Sequence, residues 1–226
     1  MDIPRRVSII SYTLKLSVII SAVLGTILSA TGGRAAFMGG KVVFMYFTIQ
    51  SNLALALICA IGLILLVRRA RVGRAWYIIK LVGTVSITLT GAVFCFVLAP
   101  TMKGAAWNLQ NILTHVIVPV CSVADYLVIA PYLPVEIRKS DVLYVTIPPL
   151  LYAVYAGIGF ARGWQFSPGY NYPYFFLNWG SPAGVFGVSD KLPFVGTGWW
   201  IIALLIVLIL TGCLFQAIVR LIRRHC

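Results

Sequence analysis

Long apolar runs alternate with short polar links along the whole chain. About twenty apolar residues cross the hydrocarbon of a bilayer, and a helix satisfies all of its own peptide groups there. Runs of spanning length lie at about 8–28, 42–67, 76–98, 109–130, 142–161 and 196–219. The pattern predicts an all-α polytopic membrane protein, a six-transmembrane-helix bundle that forms one domain over residues 1–226.

Composition and charge support this prediction and orient the bundle. The chain is 61% hydrophobic and 10% charged, which is too apolar for a soluble domain of 226 residues. Its net charge of +13 is unevenly distributed over the links. Thirteen basic residues lie in or near one alternate set of links, which includes the two chain ends: Arg5, Arg6, Lys15, Arg68, Arg69, Arg71, Arg74, Lys80, Arg138, Lys139, Arg220, Arg223 and Arg224. The other set holds five: Arg34, Lys41, Lys103, Arg162 and Lys191. The positive-inside rule places both termini in the cytosol of a multi-pass cell-membrane protein. The basic residues are explained by this topology and by contacts with anionic lipid headgroups, so nucleic-acid binding is not expected.

Polar side chains occur inside two of the predicted spans. Thr48 and Asn52 share one face of the second span, and Asn111 and His115 share one face of the fourth. Polar groups in a bilayer face the bundle interior. Both spans run inward from the outer surface, and Thr48 and His115 each lie roughly 9 to 10 Å below it at 1.5 Å per residue. We expect a hydroxyl and an imidazole at one depth, and their contact depends on how the two helices are rotated.

Lys15 and Asp125 are charged residues within predicted spans. Lys15 is near enough to the cytosolic end for its side chain to be expected to snorkel into the headgroups. Asp125 lies ten residues beyond His115, which is about 15 Å along one helix, so it cannot orient that imidazole. We expect Asp125 to be a buried, hydrogen-bonded or ion-paired carboxylate in the cytosolic half; a separate functional role is the alternative.

The connection at 163–195 is the longest and is rich in aromatic residues. Loops of this length in a compact domain are functional or disordered, and aromatic content argues against disorder. It lies on the same side as Thr48, so Tyr172, Tyr174 and Phe176 are expected to form a lid. An anchor in the membrane interface is the alternative.

Cysteine and histidine usage predicts neither disulfides nor metal or cofactor binding. Cys59, Cys95, Cys121 and Cys213 fall within spans, and Cys226 is the last residue. Since the outer links carry no cysteine and the chain has two histidines, thiolate and histidine metal sites are not expected.

Three segments together resemble a known family. They are 46–52 (YFTIQSN), 108–119 (NLQNILTHVIVP) and 172–178 (YPYFFLN). In order and spacing, over nearly the whole chain, they resemble the bacterial six-span branch of the androgen-induced and androgen-dependent membrane protein family. The resemblance implies a membrane hydrolase that cleaves fatty-acid esters of hydroxy fatty acids with an intramembrane threonine nucleophile and a histidine base. The matching residues here are Thr48 and His115.

The residue chemistry is compatible with that implication. A neutral imidazole can take the proton of a threonine hydroxyl near pH 7 and so activate it toward an ester carbonyl. Asn52 and Asn111 are candidates for orienting the pair or for donating to the oxyanion, although hydrogen bonds between helices explain them equally well. The expected partner is a membrane lipid ester that enters from the leaflet, and the oligomeric state is not indicated.

Three alternatives remain open at this point. The same polar residues could line the pocket of a non-catalytic lipid carrier or sensor, or they could only hold helices together. An intramembrane serine protease is the third, although no serine stands in a nucleophile-turn context. Turnover would favour an enzyme, and saturable lipid binding without turnover would favour the carrier or sensor. Substitutions that lower stability with no activity to lose would favour the structural interpretation.

Overall fold

Six long helices make up most of the chain in the computed structural model, which describes residues 3–32, 40–102 and 106–225. Each is long and apolar enough to cross a membrane. They are α1 (Arg5–Thr31), α2 (Phe47–Val67), α3 (Arg74–Thr101), α4 (Leu109–Tyr132), α5 (Lys139–Ala161) and α6 (Thr197–Arg223). The six predicted helices are confirmed, while Arg34, Lys103 and Cys226 lie outside the described residues.

Three of the helices are not uniformly α-helical: α5 begins with the 3-10 segment Lys139–Thr146, and α3 and α4 contain π-helical turns. The π-helical turn Leu113–Ile117 interrupts α4, and Phe94–Leu98 forms a second such turn near the end of α3. Proline explains the first, because Pro119 has no N–H to donate to the carbonyl of His115, four residues earlier. Wider turns of this kind are frequent at functional sites, and this one carries His115.

Small residues on α3 allow it to approach α4 closely. A Cβ atom at Gly91 would lie only 2.8 Å from the carbonyl oxygen of His115. About two helical turns away, the hydroxyl of Ser122 donates to that of Thr84 at 3.2 Å. The two helices are thus joined by close packing and by a hydrogen bond between hydroxyl groups.

The start of α1 and the end of α6 lie at the same end of the bundle, which we call the terminal face. The guanidinium group of Arg223, at the end of α6, donates to the carbonyls of Ala130, Pro131, Leu133 and Val135 at the end of α4. Ala130 and Pro131 lie in the last turn of α4, and Leu133 and Val135 lie just beyond it, so the cation stands at the negative end of the helix dipole.

Further contacts complete the terminal face. Arg74 pairs with the buried carboxylate of Asp141, which joins the start of α3 to the start of α5. Asp141 also accepts from the backbone N–H of Arg138 at 3.0 Å. At the other end of the bundle lie the segment before α2 and the connection between α5 and α6.

Two basic residues differ from the prediction. Lys15 does not snorkel, and Lys80, which was counted with the basic residues in or near the links, is buried in the bundle: their exposed fractions are 4% and 2%. Both pair with Asp125, which is fully buried. The predictions for the lysines were wrong because a carboxylate on a third helix offers them a partner inside the bundle. The expected ion-paired role of Asp125 is confirmed.

Candidate functional site

Thr48 stands in the first turn of α2, where backbone N–H groups have no partner within the helix. The phenol of Tyr174, from the loop between α5 and α6, supplies that partner. The backbone N–H of Thr48 donates to Tyr174 Oη at 3.3 Å, and the Thr48 hydroxyl also lies 3.3 Å from it. The Tyr174 side chain therefore connects the loop to the first turn of α2.

An aromatic cluster holds this loop in place. Tyr46, just before α2, donates from its hydroxyl to the carbonyl of Phe166 at 2.7 Å. Tyr152 on α5 donates to the carbonyl of Met45 at 2.9 Å, and the rings of Tyr174 and Phe176 stack 5.1 Å apart. Because aromatic rings bury much area and their hydroxyls find partners, the segment is ordered without regular secondary structure.

An apolar cavity of about 70 Å³ opens beside Thr48. Thr48 and Tyr152 form its wall on one side, Tyr174 and Phe176 come from the loop, and Leu204 comes from α6. A volume of this size accommodates a few water-sized groups or part of a narrow apolar chain. Among its mostly apolar walls, the hydroxyls of Thr48 and Tyr174 are adjacent polar groups.

The phenol of Tyr174 stays neutral in this environment. Burial raises the pKa of Tyr174 above its ordinary value, and its hydrogen bonds with Thr48 only partly oppose that effect. Burial likewise raises the pKa of Tyr46. A neutral phenol keeps its proton and can act as a hydrogen-bond donor.

Asn52 joins α2 to α4 at the level of the site. Its side-chain amide donates to the carbonyl of Thr48 at 2.8 Å and to the carbonyl of Thr114 at 3.3 Å. Both N–H bonds of the amide are used on backbone oxygens, so the geometry favours orientation of the two helices over donation to an oxyanion. Its buried Oδ1 atom has no hydrogen-bond partner among the residues that the structure describes.

His115 lies on the π-helical turn of α4 with its Nδ1 atom facing two oxygens. Nδ1 is 3.2 Å from the carbonyl of Asn111 and 2.9 Å from the hydroxyl of Thr114, which itself donates to the carbonyl of Gln110 at 2.8 Å. Nδ1 is therefore assigned the proton, and Nε2 carries the lone pair of the neutral ring. The ring stacks on Phe94 at 3.9 Å.

The structure brings some of the predicted residues together and separates others. Thr48 and His115 are buried on helices that Asn52 connects, but the Thr48 hydroxyl bonds to Tyr174 rather than to His115. Within the described residues, His115 does not line the cavity. Tyr172 stays at the loop surface, half-buried, with its ring 5.4 Å from that of Tyr170.

Asn111 stabilises the start of α4. Its backbone N–H donates to the side chain of Asn108 at 3.0 Å, and its amide donates to the carbonyl of Ala106 at 2.5 Å. The side chain of Asn108 therefore caps the start of α4. Asn111 thus has a structural role at the helix start, one helical turn before His115.

Sequence reasoning missed Thr114, which supports the His115 ring, and Tyr152, which forms part of the cavity wall. Thr114 was detectable in principle, because it directly precedes the only histidine within a predicted span. No three His, Cys, Asp or Glu residues of the described chain are grouped as metal ligands would be. Comparisons with models of protein families, with characterised proteins and with solved structures gave no match.

Proposed function

We propose that this protein is an intramembrane hydrolase that cleaves lipid esters, such as fatty-acid esters of hydroxy fatty acids. Thr48 is the nucleophile and His115 the general base in this proposal. The termini face the cytosol, so the site lies nearer the extracytoplasmic leaflet of the cell membrane. The observation that carries the proposal is the Thr48 hydroxyl, held by Tyr174 at the wall of an apolar cavity.

The chemistry follows the ordinary course of acyl transfer. The Thr48 hydroxyl exchanges its Tyr174 bond for one to His115 Nε2, loses its proton to that nitrogen and attacks the ester carbonyl carbon. The imidazolium then returns the proton to the departing alkoxide, which leaves as an alcohol. Water, deprotonated by the same ring, cleaves the acyl–threonine ester and releases the acid, which regenerates both side chains.

The geometry around Thr48 supplies donors for the negative charge that develops on the carbonyl oxygen. Its backbone N–H stands at the positive end of the α2 dipole and has no intrahelical partner. The neutral phenol of Tyr174 lies at 3.3 Å from both this nitrogen and the hydroxyl. Two donors beside the nucleophile, in an apolar cavity, are suited to an oxyanion.

A fluorophosphonate with a long alkyl chain tests the nucleophile directly. An activated hydroxyl displaces fluoride from phosphorus and retains the phosphonyl group. In purified full-length protein in detergent, mass spectrometry should locate the label on Thr48, and Thr48→Val should abolish it. Thr90→Val removes another hydroxyl of the same cavity and should leave labelling intact. Persistent labelling of the Thr48 variant would contradict the assignment.

A lipid carrier or sensor is the second candidate. It is favoured by the cavity wall, which excludes His115, and by the Tyr174 bond that already occupies the Thr48 hydroxyl. Saturable binding of a lipid ester without turnover, weakened in Thr48→Val but unaffected in a His115→Gln variant, would support this candidate over the hydrolase.

Membrane orientation has its own test. Single cysteines at the exposed positions Lys191 and Lys139 should react differently with an impermeant maleimide in intact cells. The parent protein provides the background from native cysteines. Labelling at position 191 alone, with position 139 reacting only after permeabilisation, supports the proposed orientation; the reverse pattern contradicts it.

A further inference from the structure

Three charged side chains from three helices meet in the interior of the bundle. Lys15 Nζ lies 2.6 Å from Oδ1 of Asp125, and Lys80 Nζ lies 2.5 Å from Oδ2. The hydroxyl of Ser11 donates to Oδ1 at 2.6 Å. Both oxygens of one carboxylate thus join α1, α3 and α4.

The other titratable groups that face this cluster are thiols. Lys80 Nζ lies 3.7 Å from the sulfur of Cys59 on α2. Cys121 stands one turn before Asp125 on α4 and is close enough to interact with its charge. Within the described residues, these thiols complete the set of titratable neighbours from the surrounding helices. Thiols among apolar side chains are neutral near pH 7, so they balance no charge.

The charges of the cluster do not balance when all three groups are ionised. One ammonium group neutralises Asp125, and the second leaves a net positive charge in the interior. An ion without a counter-charge is unfavourable in a low-dielectric region, and such residues within spans mark proton and ion pathways. Release of one proton removes the excess and leaves an ion pair beside a neutral amine.

A small cavity between the cluster and the terminal face is lined by both lysines. Its volume is about 20 Å³, and its walls include Lys15, Lys80, Gly62 and Leu133. This is enough for one water molecule. Gly62 makes room for the lysine chain, because a Cβ atom there would lie 2.9 Å from Cε of Lys15.

We propose that Lys15, Lys80 and Asp125 form a proton-binding site that exchanges one proton with water at the terminal face. In the release step an N–H bond of one ammonium group breaks, its electron pair remains on nitrogen, and the proton forms an O–H bond with water to give hydronium. The reverse step restores the ammonium group. Asp125 stays ionised against the other lysine throughout.

A purely structural ion pair would need only one lysine. The second lysine adds a charge that the pairing does not require, and it lines the same cavity as the first. The cluster lies toward the terminal face, whereas Thr48 and Tyr174 lie at the opposite end. The proposal therefore stands apart from the hydrolase proposal and would survive its failure.

Nitrogen NMR of the full-length protein in lipid bilayers tests this site directly. The chain has six lysines, and labelling with ε-¹⁵N-lysine distinguishes an amine from an ammonium nitrogen without any reagent reaching the site. Exposed lysines remain ammonium up to about pH 9. Between about pH 5 and 9 we expect one of the six signals to convert from ammonium to amine, and the other five to stay unchanged.

Charge-balancing variants provide the matched comparison. Lys15→Gln or Lys80→Gln leaves one lysine against Asp125, so all five remaining nitrogens should stay ammonium over the same pH range. Lys139→Gln removes an exposed lysine and should leave the converting signal in place. Six unchanged ammonium signals in the natural protein, or a converting signal that persists in both cluster variants, would overturn the proposal.

Discussion

Asn52 donates a hydrogen bond from its side-chain amide to the carbonyl of Thr114, at 3.3 Å. Thr114 directly precedes His115, so this bond connects the two helices that carry the proposed nucleophile and base. The same amide also donates to the carbonyl of Thr48 at 2.8 Å. One side chain thereby fixes the relative position of both catalytic candidates.

Removing this amide should loosen the contact between α2 and α4. Asn52→Ala leaves the buried carbonyl of Thr114 without this donor, and we expect the free energy of unfolding to fall by about 1 to 2 kcal/mol. Unfolding in mixed micelles measures the change. Gln50→Ala is the control, because Gln50 is exposed and water can replace its bond to Phe44. Equal effects in the two variants would contradict the proposed role.

Hydrolysis should depend on the hydroxyl of Thr48 rather than on the shape of its side chain. With a long-chain fatty acyl ester as substrate, Thr48→Val should reduce turnover by about 10³-fold or more, and Thr48→Ser should retain much of it. His115→Gln should reduce turnover to a similar extent, since nucleophile and base act as a unit. Product release measured by mass spectrometry provides the assay.

Thr90→Val is the control for these measurements. It removes a hydroxyl from the same cavity wall without touching the proposed nucleophile, so its turnover should stay near that of the natural protein. If Thr48→Val keeps its fold by circular dichroism and still turns over the ester, the assignment of Thr48 as the nucleophile is wrong.

The phenol of Tyr174 should contribute to the rate through the oxyanion. Tyr174→Phe removes one donor beside Thr48 and should lower turnover by about 10²-fold. Tyr172→Phe, in the same loop but half-buried and away from Thr48, should have little effect. Equal rates in the two variants would show that the Tyr174 hydroxyl only positions the loop.

Alkaline unfolding should report on the same phenol. Since burial raises the pKa of Tyr174, the folded protein keeps a proton that the unfolded chain loses above about pH 10. This contribution to stability is complete below that pH and is lost as pH rises toward the folded value. The free energy of unfolding should therefore decrease as the pH rises from about 9 to 11. The decrease should be smaller in Tyr174→Phe. Burial also raises the pKa of Tyr46, so Tyr46 accounts for part of the decrease that remains in this variant.

The helices themselves were predictable because their signal is local. Twenty apolar residues in sequence require a spanning helix whatever the rest of the chain does. The inward-facing positions of Thr48 and Asn52 followed from a spacing of four residues, and both are buried. Burial of His115 followed from the cost of a polar group facing lipid.

Pairings between helices were not predictable in the same way. Lys15, Lys80 and Asp125 stand on three helices, and their contact depends on rotations that no local pattern specifies. The bond between Thr48 and Tyr174 joins residues that are 126 positions apart, and one of them lies in an irregular loop. Such contacts arise from the packing of the whole bundle.

Close approach of α3 to the π-helical turn is the last relationship that a substitution can test. Gly91→Ala would place a Cβ atom 2.8 Å from the carbonyl oxygen of His115 and 3.0 Å from Cγ of Pro119. Backbone and a rigid ring cannot yield easily, so we expect a loss of about 1 to 3 kcal/mol of stability and a displaced His115 with lower turnover.

Gly73→Ala is the matched control, because a Cβ atom there meets nothing within 4 Å. Its stability should change by about 0.5 kcal/mol or less. Similar stability and turnover in both glycine variants would mean that α3 does not set the position of the His115 backbone.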